Sequence, residues 1–317
     1  MVIVGGITRL TGSGLSITEW NLVSGTLPPL SSEEWTKTFE KYKQTPQFLK
    51  TNSNYGINEF KAIFWWEYIH RLLGRVIGLT FMFPFLYFAF TNKLSRALTR
   101  KLLLLFGIGA LQGFLGWYMV QSGLTNLPSV SHYRLAIHLI SASILFAYSF
   151  HLALGLLYPP LEEKNSKPSK FRRHIRILLL LTFSQIIYGA FVAGLHAGKI
   201  YNTFPKMGAN WVPPEIISLH PLSKNFTENI VTVQFLHRCI ALLIGLLVLS
   251  LEFAAFENSK LTPKQKQAIH ILTTIFLIQI SLGILTLLTS VSIPFAICHQ
   301  AGSFFLLSGA LYLTHRL

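Results

Sequence analysis

Four histidines carry the chemistry this sequence could perform. His70, His138, His237 and His299 each stand in a long apolar run, and they recur in pairs. Ile69-His70-Arg71-Leu72 is echoed by Leu236-His237-Arg238-Cys239, and Ala136-Ile137-His138 by Ile297-Cys298-His299. A single imidazole in such a run is explained as well by an interhelical hydrogen bond as by ligation. Four at repeat-equivalent positions point to two pairs of metal ligands. Two imidazoles from facing helices, at matched depth, can grip one metal from opposite sides, which is the ligation of six-coordinate haem in a helix bundle. Gly74, Gly78, Gly116 and Gly245 would leave room for the macrocycle, and Arg71 and Arg238 offer cations to its propionates.

The two halves differ in one telling place. Glu67 lies one helical turn before His70 and shares its face, whereas Gln234 takes that place before His237. A carboxylate at membrane depth is costly and tends to be functional. The simplest reading puts chemistry in the first half and a permanent electron-transfer cofactor in the second. A plainer reading makes Glu67 only the counter-charge of Arg71 or Arg75. The remaining histidines are weaker candidates. His174, His270 and His315 fall at the inner ends of their runs, His132, His196 and His220 near the outer surface, and His151 has no repeat partner. Cys239 and Cys298 read as small buried apolar residues rather than thiolate ligands, with no structural disulfide.

The elements that must position these residues are membrane helices. Of the 317 residues, 51% are hydrophobic and only 12% charged, about half the roughly 25% usual in soluble domains. That deficit excludes a soluble enzyme, a disordered chain and a fibrous protein. The net charge of +15 falls in short gaps between apolar runs, so membrane topology explains it better than nucleic acid. Seven runs are long enough to cross a bilayer: 62–90, 102–120, 132–157, 175–197, 230–255, 268–291 and 294–313. Residues 1–7 read as the end of an eighth helix whose beginning is missing. The basic gaps carry Lys93, Arg96, Arg100 and Lys101; Lys164, Lys167, Lys170, Arg172, Arg173 and Arg176; and Lys260, Lys264 and Lys266. They belong on the cytoplasmic side, where Glu162, Glu163 and Glu257 only partly offset them, and the long segments 9–61 and 198–229 belong outside. The four histidines then share the outer leaflet.

The expected fold is all-α and polytopic, with two pseudo-symmetric four-helix bundles, residues 1–158 and 159–317. Gln112 with Gly116 matches Gln279 with Gly283, and Gly5-Gly6-Ile7 is paired with Ala193-Gly194-Leu195. Trp65, Trp66 and Tyr68 suit an interfacial belt. Gly74/Gly78 and Gly109/Gly113 suit close helix packing. Segment 9–61 is long enough to form a lid.

The stretches GGITRLTGSGLSITEW (5–20) and FWWEYIHRLLGRVIGL (64–79), with the later helices bearing His138, His237 and His299, resemble haem A synthase. The resemblance runs over essentially the whole chain. It is to the alphaproteobacterial and mitochondrial type, since the first outer segment lacks the cysteine pair of the Gram-positive type. It implies an oxidoreductase that hydroxylates the C8 methyl group of haem O twice, through haem I, and loses water to leave the formyl group of haem A. It implies His237 and His299 as axial ligands of a resident haem b cofactor. It assigns His70 and His138 to the substrate-haem iron and Glu67 to catalysis, with Arg71 and Arg238 beside the two haems. An iron-bound oxidant and electron withdrawal followed by water addition both remain open as routes to methyl activation. The implied partner is haem O synthase, the protohaem farnesyltransferase. The electron partner and self-association are not written in the sequence. The implied location is a bacterial inner membrane, favoured over the mitochondrial one because no Arg-rich presequence leads into the first motif. The competing function is a bis-haem, quinol-linked electron-transfer protein.

Overall fold

A computed structural model describes residues 1–20, 24–125, 127–158, 169–257 and 261–316. Glu162, Glu163, Lys164, Lys167 and Lys260 lie outside these described residues. The described chain is helical and forms no β-strand beyond an isolated bridge, Met207 with Asn210. Among the described residues ten α-helices follow one another: α1 (Val2–Leu10), α2 (Ser32–Lys43), α3 (Pro46–Lys50), α4 (Ile57–Phe90), α5 (Arg96–Gln121), α6 (His132–Leu157), α7 (Ser169–Gly194), α8 (Ile230–Glu257), α9 (Pro263–Leu288) and α10 (Ile293–Arg316).

Seven of these, α4 to α10, are long and apolar enough to cross a membrane. Each expected run overlaps one of them, but the runs 175–197 and 268–291 each extend three residues past the end of their helix, and several helices start five or six residues earlier than the apolar run. An apolar run marks only the part that needs lipid, whereas a helix continues for as long as its hydrogen-bond ladder is capped. Ser95 caps α5 and Thr262 caps α9 with its Gln265 partner, and both caps stand before the apolar stretch. The spans turn bulky apolar side chains outward. On α4 alone Ile77, Phe83, Tyr87 and Phe90 are more than half exposed, a surface suited to lipid and not to water. Helix α1, of 9 residues, rises about 14 Å, under half the roughly 30 Å of hydrocarbon in a bilayer.

Two compact units are present, Met1–His138 and Leu139–Leu317, with the boundary in sequence falling inside α6. In the first unit α1 packs on α4, and α4 also packs on α5 and α2. Thr8 of α1 donates to the Trp66 carbonyl across the α1–α4 contact. The described residues of segment 9–61 fold back as a cap on the N-terminal part of α4. Trp35, Tyr42, Phe60, Ile63, Phe64 and Tyr68 form one buried cluster there. The Tyr42 hydroxyl accepts from Asn52 and donates to Gln47, and Gln47 in turn donates to the Gly12 carbonyl. Burial pushes the Tyr42 phenol up to about 12. The interfacial belt therefore loses one expected member. Tyr68 is buried and donates to the Thr26 carbonyl, while Trp65 and Trp66 stay partly exposed.

In the second unit α7, α8, α9 and α10 close a four-helix ring: α7 packs on α8, α8 on α9, α9 on α10 and α10 on α7. Ile175, Leu178, Ile244, Val248, Leu272 and Leu307 are among its fully buried side chains. Asn225 and Asn229 organise the preceding segment, and the Asn229 side chain accepts from the backbone of Val231 and Thr232 at the start of α8. The expected close packing at Gly78, Gly109 and Gly113 does not occur within the described chain. A Cβ at any of the three would meet no heavy atom within 4 Å.

Candidate functional site

The second unit brings His237 of α8 and His299 of α10 together. Their ring centroids are 6.4 Å apart and their planes are crossed at 83°. Two imidazole nitrogens each about 2.0 Å from a shared metal, on opposite sides, put the ring centroids roughly 6.3 Å apart. The observed spacing fits that arrangement.

The helices behind the two rings explain how they are held. Each ring lies against a glycine of the preceding helix, with a glutamine one turn earlier. His299 faces Gly283 of α9, where an added Cβ would stand 2.8 Å from the ring. His237 faces Gly189 of α7 at 3.4 Å. The His299 Nδ1 lies 3.2 Å from the Gln279 main-chain carbonyl, so this nitrogen carries the proton and Nε2 is left as a bare donor atom for a metal. The Gln185 amide lies 3.2 Å from the His237 Nε2. The buried Gln185 Oε1 has no hydrogen-bond partner. Buried polar atoms are seldom left this way without a ligand to account for them. Among the described residues no three His, Cys, Asp or Glu side chains are arranged to hold a bare ion. A two-imidazole set, by contrast, suits a macrocycle that brings its own in-plane nitrogens. The residues present therefore fit a haem.

In the first unit His138 of α6 repeats the device against Gly116 of α5 at 3.2 Å, whereas His70 of α4 lies against Gly5 of α1 with Nε2 itself 2.9 Å from the position of an added Cβ and no glutamine one turn earlier. The Gln112 amide donates to the His138 carbonyl at 3.0 Å and lies 3.1 Å from its Nδ1.

One turn before His70, the Glu67 side chain is buried and takes four hydrogen bonds. Its Oε2 accepts from the Ser16 hydroxyl at 2.7 Å and the Ile17 N–H at 2.8 Å. Its Oε1 accepts from Arg71 Nε at 3.1 Å and Nη2 at 2.6 Å. Arg71 also donates to the carbonyls of Ile17 and Glu19 and stacks over Trp20. In the second unit Arg238 does the same to Tyr201 and Thr203, and Gln234 donates to Tyr201; among the described residues no carboxylate accepts from Arg238 or Gln234, and Glu215 instead accepts from the Tyr201 hydroxyl.

These contacts correct the internal register read from the sequence. Gly5 corresponds to Gly189, because both bear an imidazole, and Ile17 to Tyr201, because both carbonyls receive the matching arginine. Ala193-Gly194-Leu195 is thus four residues out of step. Gly74 and Gly245 do not open space beside a histidine either: their nearest neighbours are Met1 and Phe276.

The model of a family described as "Cytochrome oxidase assembly protein", COX15-CtaA, matches residues 1–311. The chain belongs to the COX15-CtaA family. Similar proteins include one from Nitrosomonas eutropha named "Heme A synthase", 46% identical over 322 residues, covering 100% of this chain and 89% of that protein. One of the same name from Nitrosospira multiformis is 47% identical over 318 residues, covering 100% and 89%. Another, from Wolbachia pipientis, is 45% identical over 312 residues, covering 98% and 87%.

Within this COX15-CtaA chain, four contributors escaped the sequence reading: Ser16, Ile17, Gln185 and Gly189. The spacing of Gln185 and Gly189 repeats that of Gln112/Gly116 and Gln279/Gly283, and could have revealed them. Ser16 lies 51 residues before Glu67 in a loop, with no periodicity to mark it. Other histidines have separate roles. His270 pairs with Glu252, and His315 lies 2.7 Å from the Tyr158 carbonyl. Cys239 is partly buried and Cys298 exposed, both as free thiols.

Proposed function

We propose that this protein is a haem A synthase that takes haem O as substrate and holds a haem b as resident cofactor. The name comes from its relatives. The observation that carries the assignment of roles is the asymmetry between two like sites: a buried carboxylate, Glu67, in the first and a neutral amide, Gln234, in the second. On this reading His237 and His299 would hold haem b in the C-terminal half, 159–317. His70 and His138 hold the substrate iron in the N-terminal half, 1–158. Haem b, when bound, supplies one-electron chemistry. Arg71 and Arg238 stand next to the ligands His70 and His237 and take propionate carboxylates. The Nε of Arg238 is buried without a protein partner, which supports that role.

On the water-addition route the methyl group takes its oxygen from water to become hydroxymethyl and then a gem-diol, each step releasing two protons and two electrons, the electrons going to a one-electron acceptor, and the gem-diol loses water to give the formyl group. Glu67 already accepts four hydrogen bonds, about the capacity of a carboxylate. This favours a fixed anion over a mobile base. Held by Arg71, Ile17 and Ser16, it stabilises positive charge building up at the methyl carbon without having to reorganise. The folded cap of residues 9–61 contributes Ser16 and Ile17 directly, so the cap completes the site and limits access of water. We assign the protein to a bacterial inner membrane, with the haem sites in the outer leaflet and haem O synthase as its supplier.

The test is co-expression with a haem O synthase, followed by chromatography of the extracted haems. Accumulation of haem I and haem A is expected. Unchanged haem O beside a folded, haem-loaded protein sinks the proposal, and would favour a bis-haem electron carrier. His237→Ala is expected to abolish the bis-imidazole spectrum of the resident haem, and an unchanged spectrum refutes that ligand.

A further inference from the structure

Resting on the reading of His237 and His299 as ligands of a resident haem, we propose that Gly283, Gln279 and Gly302 are positioning residues. They fix the rotation of the His299 imidazole and hold it crossed to His237. Three contacts on α9 and α10 carry this. The missing side chain at Gly283 lets the ring approach the α9 backbone sideways, so that Nδ1 reaches the carbonyl of Gln279 one turn earlier. A methyl group at 283 would lie 2.8 Å from Cε1, 3.3 Å from Nδ1 and 3.4 Å from Nε2 of His299. It would press on the ring edge that makes this contact and turn the ring. The Gln279 side chain also braces the backbone that bears the ring, with its amide donating to the His299 carbonyl at 2.9 Å. That amide fits only because residue 302 is glycine: the Gln279 Oε1 stands 2.0 Å from where a Cβ would be. This Oε1 is buried and has no hydrogen-bond partner, so no bond of its own holds it there. Gly302 thus makes room for Gln279, Gln279 anchors the His299 backbone and ring, and Gly283 seats the ring.

The observed angle of 83° leaves little room to increase, so turning either ring reduces the crossing. In a low-spin ferric haem, crossed imidazole planes leave two iron orbitals nearly degenerate and raise the largest g value. Smaller crossing lowers it. Low-temperature electron paramagnetic resonance of the purified, full-length, haem-loaded protein reads this angle independently of turnover.

The parent should give a low-spin signal with a large highest g value. Gly283→Ala should lower that value, and Gln279→Ala should lower it as well. The second variant removes the amide brace without adding bulk, so it decides the matter if Gly283→Ala does not fold. Gly302→Ala, by displacing the Gln279 amide, should follow Gln279→Ala. Gly245→Ala is the comparison for disturbed helix packing, since a Cβ there meets Phe276 of α9 at the same 2.8 Å but no histidine. It should keep the parental g value. Parental signals at full haem content in both Gln279→Ala and any folded Gly283→Ala overturn the inference, as does an equal shift in Gly245→Ala. A parent without any bis-imidazole low-spin haem overturns instead the ligand reading on which the inference rests.

Discussion

Replacing Glu67 by Gln separates the two sites. The change keeps the size of the side chain and removes its charge. Glu67 and Arg71 are both largely buried, with side chains 3% and 11% exposed, so the pair is poorly screened. Breaking a buried pair by removing one partner costs about 3–5 kcal/mol when the other charge is left alone. Arg71 is not left alone, because it keeps the carbonyls of Ile17 and Glu19 and the face of Trp20. Arg238 survives opposite a glutamine with carbonyl partners of the same kind. The expected loss of stability is therefore nearer the cost of one or two unmatched hydrogen bonds, about 1–3 kcal/mol. The effect on turnover should be larger. Removing one preorganised electrostatic group commonly lowers turnover by about 10²–10³-fold. The assay is chromatography of haems extracted after co-expression with haem O synthase, alongside the haem b content of the purified protein. Haem O should accumulate, haem A should fall by about that factor, and haem b should stay at the parental level. Haem A at the parental rate would refute the role of Glu67. Loss of haem b with turnover retained would reverse the assignment of the two halves.

Other outcomes follow from single contacts. Ser16→Ala removes one of the four donors to the Glu67 carboxylate, a charged hydrogen bond of about 1.5–3 kcal/mol, and should lower haem A formation roughly 10- to 100-fold with haem b unchanged; full activity would show that Ser16 does not hold Glu67. Tyr42→Phe leaves Asn52 and Gln47 without their buried partner and should lower the cap's thermal midpoint. Because the folded-state phenol lies at about 12, against about 10 when unfolded, Tyr42 should stabilise the cap fully below pH 10. That contribution should fade as pH rises toward 12, and a parent and variant with the same slope of stability above pH 10 would contradict this. Reporter fusions in the loop after α4 should fluoresce in the cytoplasm, and those in the loop after α5 should be active outside; the reverse pattern would invert the topology.

The spans and the duplicated histidine motif were legible because their physical causes are local or repeated. Lipid demands about twenty apolar residues in a row, and that demand is written in composition. Imidazoles in such runs stand out, and the duplication of Ile69-His70-Arg71 as Leu236-His237-Arg238 marks them twice. The difference between Glu67 and Gln234 was visible for the same reason. What only the tertiary structure decided depends on contacts between distant segments. Ser16 and Ile17 reach Glu67 because the cap folds back on α4, and no spacing encodes that meeting. The register of α1 against α7 was misread because several small-residue steps look alike in sequence. Only the ring resting on each helix shows which glycine matters. The crossed planes of His237 and His299 belong wholly to packing, since a side chain's rotation is set by the neighbour it leans on and not by its place in the chain.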